Sequence, residues 1–452
     1  MLWFAFVMTL LSVPADDPRP NVLLVIADDI GTDRVAAYAE AGDPGHTPVL
    51  DALAQQGVLF RNVWSSPVCS PSRVTVLTGR YGYRTGIGIS IPFDNTGQTM
   101  GLAGPEGVPE SEISLGWIAR RAGYRTAAIG KWHVANITSG GFDHPVMLGF
   151  EQHLGPIGVG GYFDWNKNIA DSAGNRQVVV SKYSASENVD DALQVIDSFG
   201  DDPWLVWLAF TSAHTPYHVP PLDLLSEETA AEVSVARPSV PALHRAMVEA
   251  MDTELGRLLA GIRPSVLAQT LVIFVGDNGT HDDALEQPTI NNGAKGSVSE
   301  GGINVPLLIA GAGVQQPGRE VGDLVNLVDL FSTVHALMDA QPLSHPVDGV
   351  SLLPVLTEPG GTPARRWVYS EKFVPNGLSA FKSKQKRALR DTRYKLIRQD
   401  KPALSDPWRF YDLLLDPGET NDLVEPGVAA PLNVDQQAAF DYLSGLFATL
   451  GP

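Results

Sequence analysis

The stretch Cys69-Ser70-Pro71-Ser72-Arg73-Val74-Thr75-Val76-Leu77-Thr78-Gly79-Arg80 holds the one cysteine of a 452-residue chain. A lone cysteine is most often a small buried hydrophobe, but its neighbours here point elsewhere. Pro71 just inside a helix start, Ser72 and Arg73 in the first turn and Thr78-Gly79 as an exit predict a helix with Cys69 at its N-terminus. Unpaired N–H groups and the helix dipole make that position favourable to an anion.

Working outward, residues 58–63 read as a strand leading to the cysteine. A helix over 49–56 precedes it, with Thr47-Pro48 as N-cap and first residue and Gly57 as its close. Further upstream, 21–27 is a continuous apolar run bounded by Pro20 and Asp28, the pattern of a parallel strand buried on both faces. Downstream the alternation continues, with helix 113–122 and strand 124–129, helix 186–198 and strand 204–210, then helix 240–262 and strand 270–275. Strand 305–310 and helix 324–337 follow. This order predicts an α/β fold around a mostly parallel sheet. The segment 358–363, Glu-Pro-Gly-Gly-Thr-Pro, is the best linker. Beyond it, short strands over 367–370, 386–391 and 394–398 lack crossover helices and predict an antiparallel appendage, closed by a helix over 434–446.

Four polar clusters each follow a predicted strand: Asp28-Asp29, Gly130-Lys131-Trp132-His133, Thr211 to Pro216 around His214, and Gly276-Asp277-Asn278-Gly279. In open α/β sheets ligands bind outside the carboxyl ends of the strands, so clusters far apart in sequence are expected to share one crevice. Asp28, Asp29, Asp277 and Asn278 offer oxygen ligands only, which suits a hard divalent cation such as Ca²⁺ or Mg²⁺. Taken singly, an acidic pair after a strand is more often a helix cap or a solvated turn.

Hydrophobic residues make up 44% of the chain and the formal net charge is −19, with a pI near 4.8. Such a balance argues against a nucleic-acid partner. It would also repel any polyanion, so positive charge must be focused locally if the substrate is anionic. Residues 2–11 are apolar but too few to span a bilayer, and Val13-Pro14-Ala15 supplies the small residues a signal peptidase reads. A signal peptide over 1–15 and a secreted or periplasmic location are therefore expected, with no integral membrane segment in the mature chain. One cysteine cannot form an internal disulfide, so stability rests on packing.

The Cys69 to Gly79 stretch resembles the signature of the formylglycine-dependent sulfatases, Cys-x-Pro-Ser-Arg-x-x-x-Leu-Thr-Gly, at every specified position. The resemblance runs on through Gly130-Lys131-Trp132-His133, Ala213-His214-x-Pro216 and Lys295 ahead of Glu300-Gly301-Gly302-Ile303-x-Val305-Pro306. It continues in Asp348-Gly349-Val350-Ser351-Leu352-Leu353-Pro354 and in Tyr411-Asp412-Leu413 with Asp416-Pro417 and Glu419. The implied fold is that of the alkaline phosphatase superfamily: a large mixed, mostly parallel sheet sandwiched by helices, and a smaller C-terminal α+β domain with an antiparallel sheet. The expected division is 16–360 and 361–452. The chain departs from the family in having no proline before His214 and in carrying Asn304 where sulfatases often have Arg, which bears on local packing only.

The resemblance implies that a maturation enzyme oxidises Cys69 to formylglycine, whose hydrate is the nucleophile. It implies that Asp28, Asp29, Asp277 and Asn278 hold Ca²⁺, with Mg²⁺ as the other candidate, and that the converted Cys69 completes the shell. Arg73 and Lys131 would hold the formylglycine and Lys295 the sulfate oxygens. His214 would protonate the leaving alcohol, and His133 would take the diol proton as the aldehyde re-forms. The implied activity is hydrolysis of a sulfate ester, its substrate a sulfated carbohydrate or an aryl sulfate. Phosphonate monoester or phosphodiester hydrolysis is the alternative on the same scaffold, and non-catalytic binding of sulfated glycans the alternative outside enzymes. Residues 155–168, Gly-rich with Tyr162, Phe163 and Trp165, read either as an aromatic wall for a substrate ring or as a plain surface loop. Asn136-Ile137-Thr138 is a glycosylation sequon that matters only in a glycosylating host. Asn278-Gly279-Thr280 is discounted, since a metal-ligating Asn would be inaccessible.

Overall fold

The apolar run Asn21–Ala27 forms strand β1, buried along its whole length. Alternate side chains point to opposite faces of a strand, and here both faces are covered. Val22, Leu24 and Ile26 enter one core with the helices Cys69–Thr78, Leu115–Arg121 and Val328–Leu337. Leu23, Val25 and Ala27 enter a second core with Pro48–Gln56, Ser184–Phe199 and Val240–Gly261. Helices thus sandwich the sheet. The computed structural model describes residues 19–40, 43–92, 107–286, 292–378, 382–400, 408–427 and 429–450. The expected signal peptide over 1–15 lies outside them. No helix among the described residues is long and apolar enough to cross a membrane.

The remaining strands of the large sheet are β2 (Gly57–Trp64), β3 (Arg125–Gly130), β4 (Gln152–Gly155), β5 (Trp165–Asp171), β6 (Gly174–Val180), β7 (Trp204–Ala209), β8 (Thr270–Gly276), β9 (Leu307–Gly311) and β10 (Arg319–Asn326). Their order is β10-β2-β9-β8-β1-β7-β3-β4-β5-β6. The centre β8-β1-β7-β3 is parallel, with Ala27 beside Gly276, Ile26 beside Ala209 and Gly130 beside Ala209. The carboxyl ends of these four strands therefore lie level, and all four polar clusters leave the sheet along one edge. The antiparallel pairs are β2 with β9, β9 with β8, β4 with β5 and β5 with β6, so the sheet is mixed and mostly parallel, as expected.

A second sheet is wholly antiparallel and runs β11 (Val368–Val374), β12 (Lys384–Arg390), β13 (Tyr394–Asp400), β14 (Trp408–Asp412). The helix Val434–Phe447, started by a capping box of Asn433 and Gln436, packs Leu443 and Phe447 against Leu389, Leu396 and Phe410. Ion pairs fasten this sheet to the large one. Glu300 takes Lys395 at 3.0 Å and Arg390 at 3.1 Å, while Glu419 reaches Lys395 at 2.9 Å. Glu419 also accepts from the Glu300 backbone N–H at 2.7 Å.

The structure departs from the sequence reading at several elements. The helix expected over 324–337 begins only at Val328, and Leu324, Val325 and Asn326 extend along β2 as the end of β10. Thr47 does not cap the following helix: its hydroxyl accepts from Ala36 N–H, and the free N–H groups of Val49 and Leu50 go to Asp252, each at 2.9 Å. Residues 155–168 are only partly loop, since Gly155 ends β4 and Trp165 opens β5. Asn304 fills its place by accepting from Val63 N–H at 2.9 Å and donating to Arg61 carbonyl at 3.2 Å.

Candidate active site

The helix Cys69–Thr78 is buried throughout and ends on Gly79 at φ 68°, as its sequence predicts. Its first residue points the sulfur at the edge where the strands end. Cys69 Sγ lies 3.3 Å from Asp28 Oδ1, 4.0 Å from Asp29 Oδ1 and 3.4 Å from Lys295 Nζ. Asp28 and Asp29 follow β1, and Asp277 and Asn278 follow its neighbour β8. Gly279 then makes a close approach possible: a Cβ there would stand 1.9 Å from the Gly301 carbonyl, so the Asp-Asn-Gly and Glu-Gly-Gly segments need glycine to lie together. Gly130, at φ +81°, has a comparable role before Lys131, where a Cβ would meet the Ala209 carbonyl at 2.0 Å.

Three cations meet the three carboxylates. Arg73, fully buried, donates Nε to Asp277 Oδ2 at 2.9 Å, pairs with Asp28 at 3.3 Å and donates to the Lys131 carbonyl at 2.8 Å. Lys131 Nζ bonds Asp28 Oδ2, and Lys295 Nζ lies 2.6 Å from Asp29 Oδ1. Burial alone would raise Asp28, but Lys131, His214 and Arg73 hold its carboxyl well below the usual range. Burial, with the charges of Asp277 and Asp28, pushes the Cys69 thiol up. A sulfur so placed is a poor nucleophile as it stands.

Two buried oxygens, Asp29 Oδ2 and Asn278 Oδ1, have no hydrogen-bond partner, a costly arrangement for groups shut off from water. Asp28, Asp29, Cys69 and His214 each bring one potential ligand atom within 4.8 Å of the others. The carboxylate and amide oxygens suit a hard cation. A thiol sulfur in their midst does not, whereas an oxygen in its place would. Asp277 is not among these four and has both oxygens engaged, with Arg73 on Oδ2 and the Asp29 N–H on Oδ1 at 3.3 Å.

The two histidines are tied by different nitrogens. His133, at φ 57°, sets Nε2 3.0 Å from the Ile91 carbonyl and leaves buried Nδ1 without a partner. Burial, then Lys131 and Arg73, push its pKa well below the ordinary imidazole range. His214 places Nδ1 2.9 Å from the Thr215 carbonyl and Nε2 4.0 Å from Asp29 Oδ2. The candidate catalytic and metal-binding residues thus gather at one edge of the sheet.

Further residues support the site, and of these the sequence singles out Tyr162 alone, as part of a candidate aromatic wall. Tyr162 donates its hydroxyl to the carbonyls of Thr211, at 2.9 Å, and of His214. His244 Nε2 meets the Asp29 carbonyl at 3.0 Å, and Ser70 Oγ accepts from Ile91 N–H at 2.9 Å. His244 could be suspected only from being a histidine on the apolar side of a long helix, and Ser70 occupies a position that the signature leaves open.

The family model described as Sulfatase matches residues 20–340. This chain belongs to the sulfatase family. Sulfatases are sulfuric ester hydrolases, and a metal ion and a formylglycine are general to the family. A second model, described as N-sulphoglucosamine sulphohydrolase, C-terminal, matches residues 294–440. Steryl-sulfatase of Mus musculus is 29% identical over 427 residues, taking in 76% of this chain and 66% of its own length. Arylsulfatase G of Rattus norvegicus is 28% identical over 446 residues, covering 87% of this chain and 78% of that one. N-acetylgalactosamine-6-sulfatase of Homo sapiens is 28% identical over 367 residues, covering 75% and 66%. Among solved structures, Ps i-CgsB in complex with k-i-k-neocarrahexaose superposes with a TM-score of 0.76 at 22% identity, over 95% of this chain and 92% of that one. The PsFucS1 sulfatase from Pseudoalteromonas sp. gives 0.73 at 23% identity, over 96% and 90%. This sulfatase therefore has the alkaline phosphatase-like fold of its structural neighbours.

Proposed function

We propose that this protein hydrolyses a sulfate ester, R–O–SO₃⁻ to ROH and sulfate, with Cys69 converted to formylglycine by a maturation enzyme and Ca²⁺ held by Asp28, Asp29, Asp277 and Asn278. The observation that carries the reading is the pair of buried oxygens without a hydrogen bond, Asp29 Oδ2 and Asn278 Oδ1, on the same edge of the sheet as the Cys69 sulfur, itself 3.4 Å from the Lys295 ammonium. When present, the cation and the hydrated aldehyde together supply a polarised oxygen nucleophile and shield the charge of the ester.

The chain's own residues do the rest. Arg73 and Lys131, both buried, hold the carboxylates in place and oppose the negative charge that gathers at position 69. Lys295, with a side chain 13% exposed, presents its ammonium to a sulfate oxygen from the open side. His133 carries its proton on Nε2, towards the Ile91 carbonyl, so the bare Nδ1 is the acceptor for a proton leaving the site. His214 keeps Nδ1 on the Thr215 carbonyl and turns Nε2 inward, where as the imidazolium it donates to the departing alkoxide.

The substrate class is a sulfated carbohydrate or aryl sulfate. Its supports are the relatives named for aryl and N-acetylgalactosamine sulfates and the structural neighbour bound to its substrate D-glucosamine-2-N,6-O-disulfate. The same reading takes 16–360 as the catalytic unit and 361–452 as its appendage, and an exported protein that loses residues 1–15. Turnover of 4-nitrophenyl sulfate by protein matured in the presence of the modifying enzyme tests it. Asp29→Ala should lose both that turnover and the bound divalent metal. Faster hydrolysis of a phosphonate monoester than of the sulfate would overturn the reading in favour of a phosphonate hydrolase.

A further inference from the structure

Residues 86–91 form neither helix nor strand, yet Gly86, Ile87, Gly88 and Ile91 are buried. Backbone shut off from water must find its hydrogen-bond partners elsewhere, and here they come from two places. One is the end of β11: Phe373 N–H donates to the Gly88 carbonyl at 3.2 Å and Gly377 N–H to the Gly86 carbonyl at 2.6 Å. The Asn376 side chain adds three more bonds, its Oδ1 accepting from Gly88 N–H at 2.9 Å and Ile89 N–H at 3.0 Å, its Nδ2 donating to the Ile89 carbonyl at 3.3 Å. Turning that amide over would set its donor against two N–H groups, so one orientation alone fits. Gly88 has to be glycine for this contact, since a Cβ there would stand 2.4 Å from the Phe373 ring.

The other place is the helix Cys69–Thr78. Ser70, wholly buried, accepts from Ile91 N–H on Oγ at 2.9 Å, and the Ile91 carbonyl in turn faces His133 Nε2 at 3.0 Å. A carbonyl can only accept, so the imidazole carries its proton on Nε2, and its buried Nδ1, without a hydrogen-bond partner, is bare. Ile87 and Ile91 also pack in the core that this helix shares. Apolar packing is non-directional and does not aim a carbonyl, whereas hydrogen bonds along the segment do. Residues 86–91 thus make a strap that fastens the end of β11 to the rim of the site, and its last carbonyl sets which nitrogen of His133 holds the proton.

We propose that Ser70 and Asn376 are positioning residues for His133: through the strap 86–91 they hold the Ile91 carbonyl on Nε2–H and so keep Nδ1 free as the acceptor for a proton leaving the site. The second sheet then serves the reaction without touching the substrate, and Ser70 does so from a position that the signature leaves open. The acceptor role of Nδ1 rests on the sulfatase reading above, while the geometry of the strap stands without it.

The test reads the His133 Nε2–H resonance by nitrogen-correlated NMR of the full chain with Cys69 unconverted, assigned by its loss in His133→Gln. In the parent this proton should be visible and slow to exchange with water. Ser70→Ala and Asn376→Ala should each speed its exchange about tenfold, the scale of one lost hydrogen bond. Ser70→Thr, which keeps the hydroxyl, should restore the slow exchange. The Nε2–H of His144, bonded outside the strap to the Val108 carbonyl at 2.8 Å, should stay as it is in the parent. In protein with formylglycine at position 69, the same two Ala variants should lower steady turnover of 4-nitrophenyl sulfate about tenfold per formylglycine and leave the first release of 4-nitrophenol within about twofold. The proposal fails if the parent carries the His133 proton on Nδ1 or if neither Ala variant alters the His133 signal. It fails too if both variants speed His133 and His144 alike, or lower first release and steady turnover by one common factor, either of which would make the strap a general support. Ser70 and Asn376 stand on different elements, so one variant decides where the other does not fold. Should matured parent protein not turn over the aryl ester, the sulfatase reading fails separately, and the NMR result still decides the strap.

Discussion

His133 and His214 differ in which ring nitrogen is engaged, and that difference separates their expected phenotypes. His214 turns Nε2 into the site. If it protonates the leaving oxygen, His214→Ala should slow esters of weakly acidic sugar alcohols by about 10²- to 10⁴-fold and affect 4-nitrophenyl sulfate far less, because a stable phenolate needs little protonation. Kinetics over a series of leaving groups checks this, and an equal loss across the series would remove His214 from that role. At this scale the sequence is informative where chemistry resides in residue type. Cys69, Asp28, Asp277, Lys131 and Lys295 are few in kind and stand at strand ends. His244 is not legible in that way, because its partner is a backbone carbonyl 215 positions away along the chain.

The short helix Pro48–Gln56 shows what an element borrows from its surroundings. Its free N–H groups at Val49 and Leu50 are satisfied by Asp252 of the helix Val240–Gly261. Asp252→Ala should therefore cost about 1–3 kcal/mol of stability in denaturant unfolding, and a change below a few tenths would show that Thr47 or water takes over. A second case lies in β11. Glu371, buried, accepts from Tyr83 N–H at 2.7 Å and from the Tyr369 hydroxyl at 3.0 Å, and burial pushes its carboxyl from the ordinary 4.5 up to about 7. The folded state then binds the proton more tightly than the unfolded one. Its stabilising effect is complete below pH 4.5 and falls away as pH rises through about 7, by on the order of 3 kcal/mol. Glu371→Gln should flatten that limb of the stability–pH curve, and an unchanged slope would contradict the assignment. The parallel strands are legible because burial on both faces leaves uninterrupted apolar runs. The direction of β9, antiparallel to both neighbours, is not, since its composition is the same either way. Nor is the start of the helix Val328–Leu337, where apolar residues suit strand and helix alike.

Across the whole molecule, a formal charge of −19 surrounds a site built to receive an anion. Repulsion by the distant surface and attraction by Lys295 act over different lengths, so salt should separate them. Between roughly 0.01 and 0.1 M, where the screening length shrinks from about 30 to about 10 Å, kcat/KM for a disulfated oligosaccharide should rise, while that for 4-nitrophenyl sulfate should change much less. A steady fall from the lowest salt would mean that the attraction by Lys295 dominates throughout. The convergence of strand ends on Cys69 is legible as a consequence of α/β topology. The fastening of the second sheet to the rim is not, because it depends on how one packed body lies against another. Everything above meets at position 69, and the decisive measurement is the mass of the tryptic peptide 62–73 from protein that turns over a sulfate ester. The account predicts a peptide in which –CHO replaces –CH₂SH, trapped by an aldehyde reagent, in proportion to activity across preparations. Full turnover by protein in which this peptide carries only the thiol would contradict it.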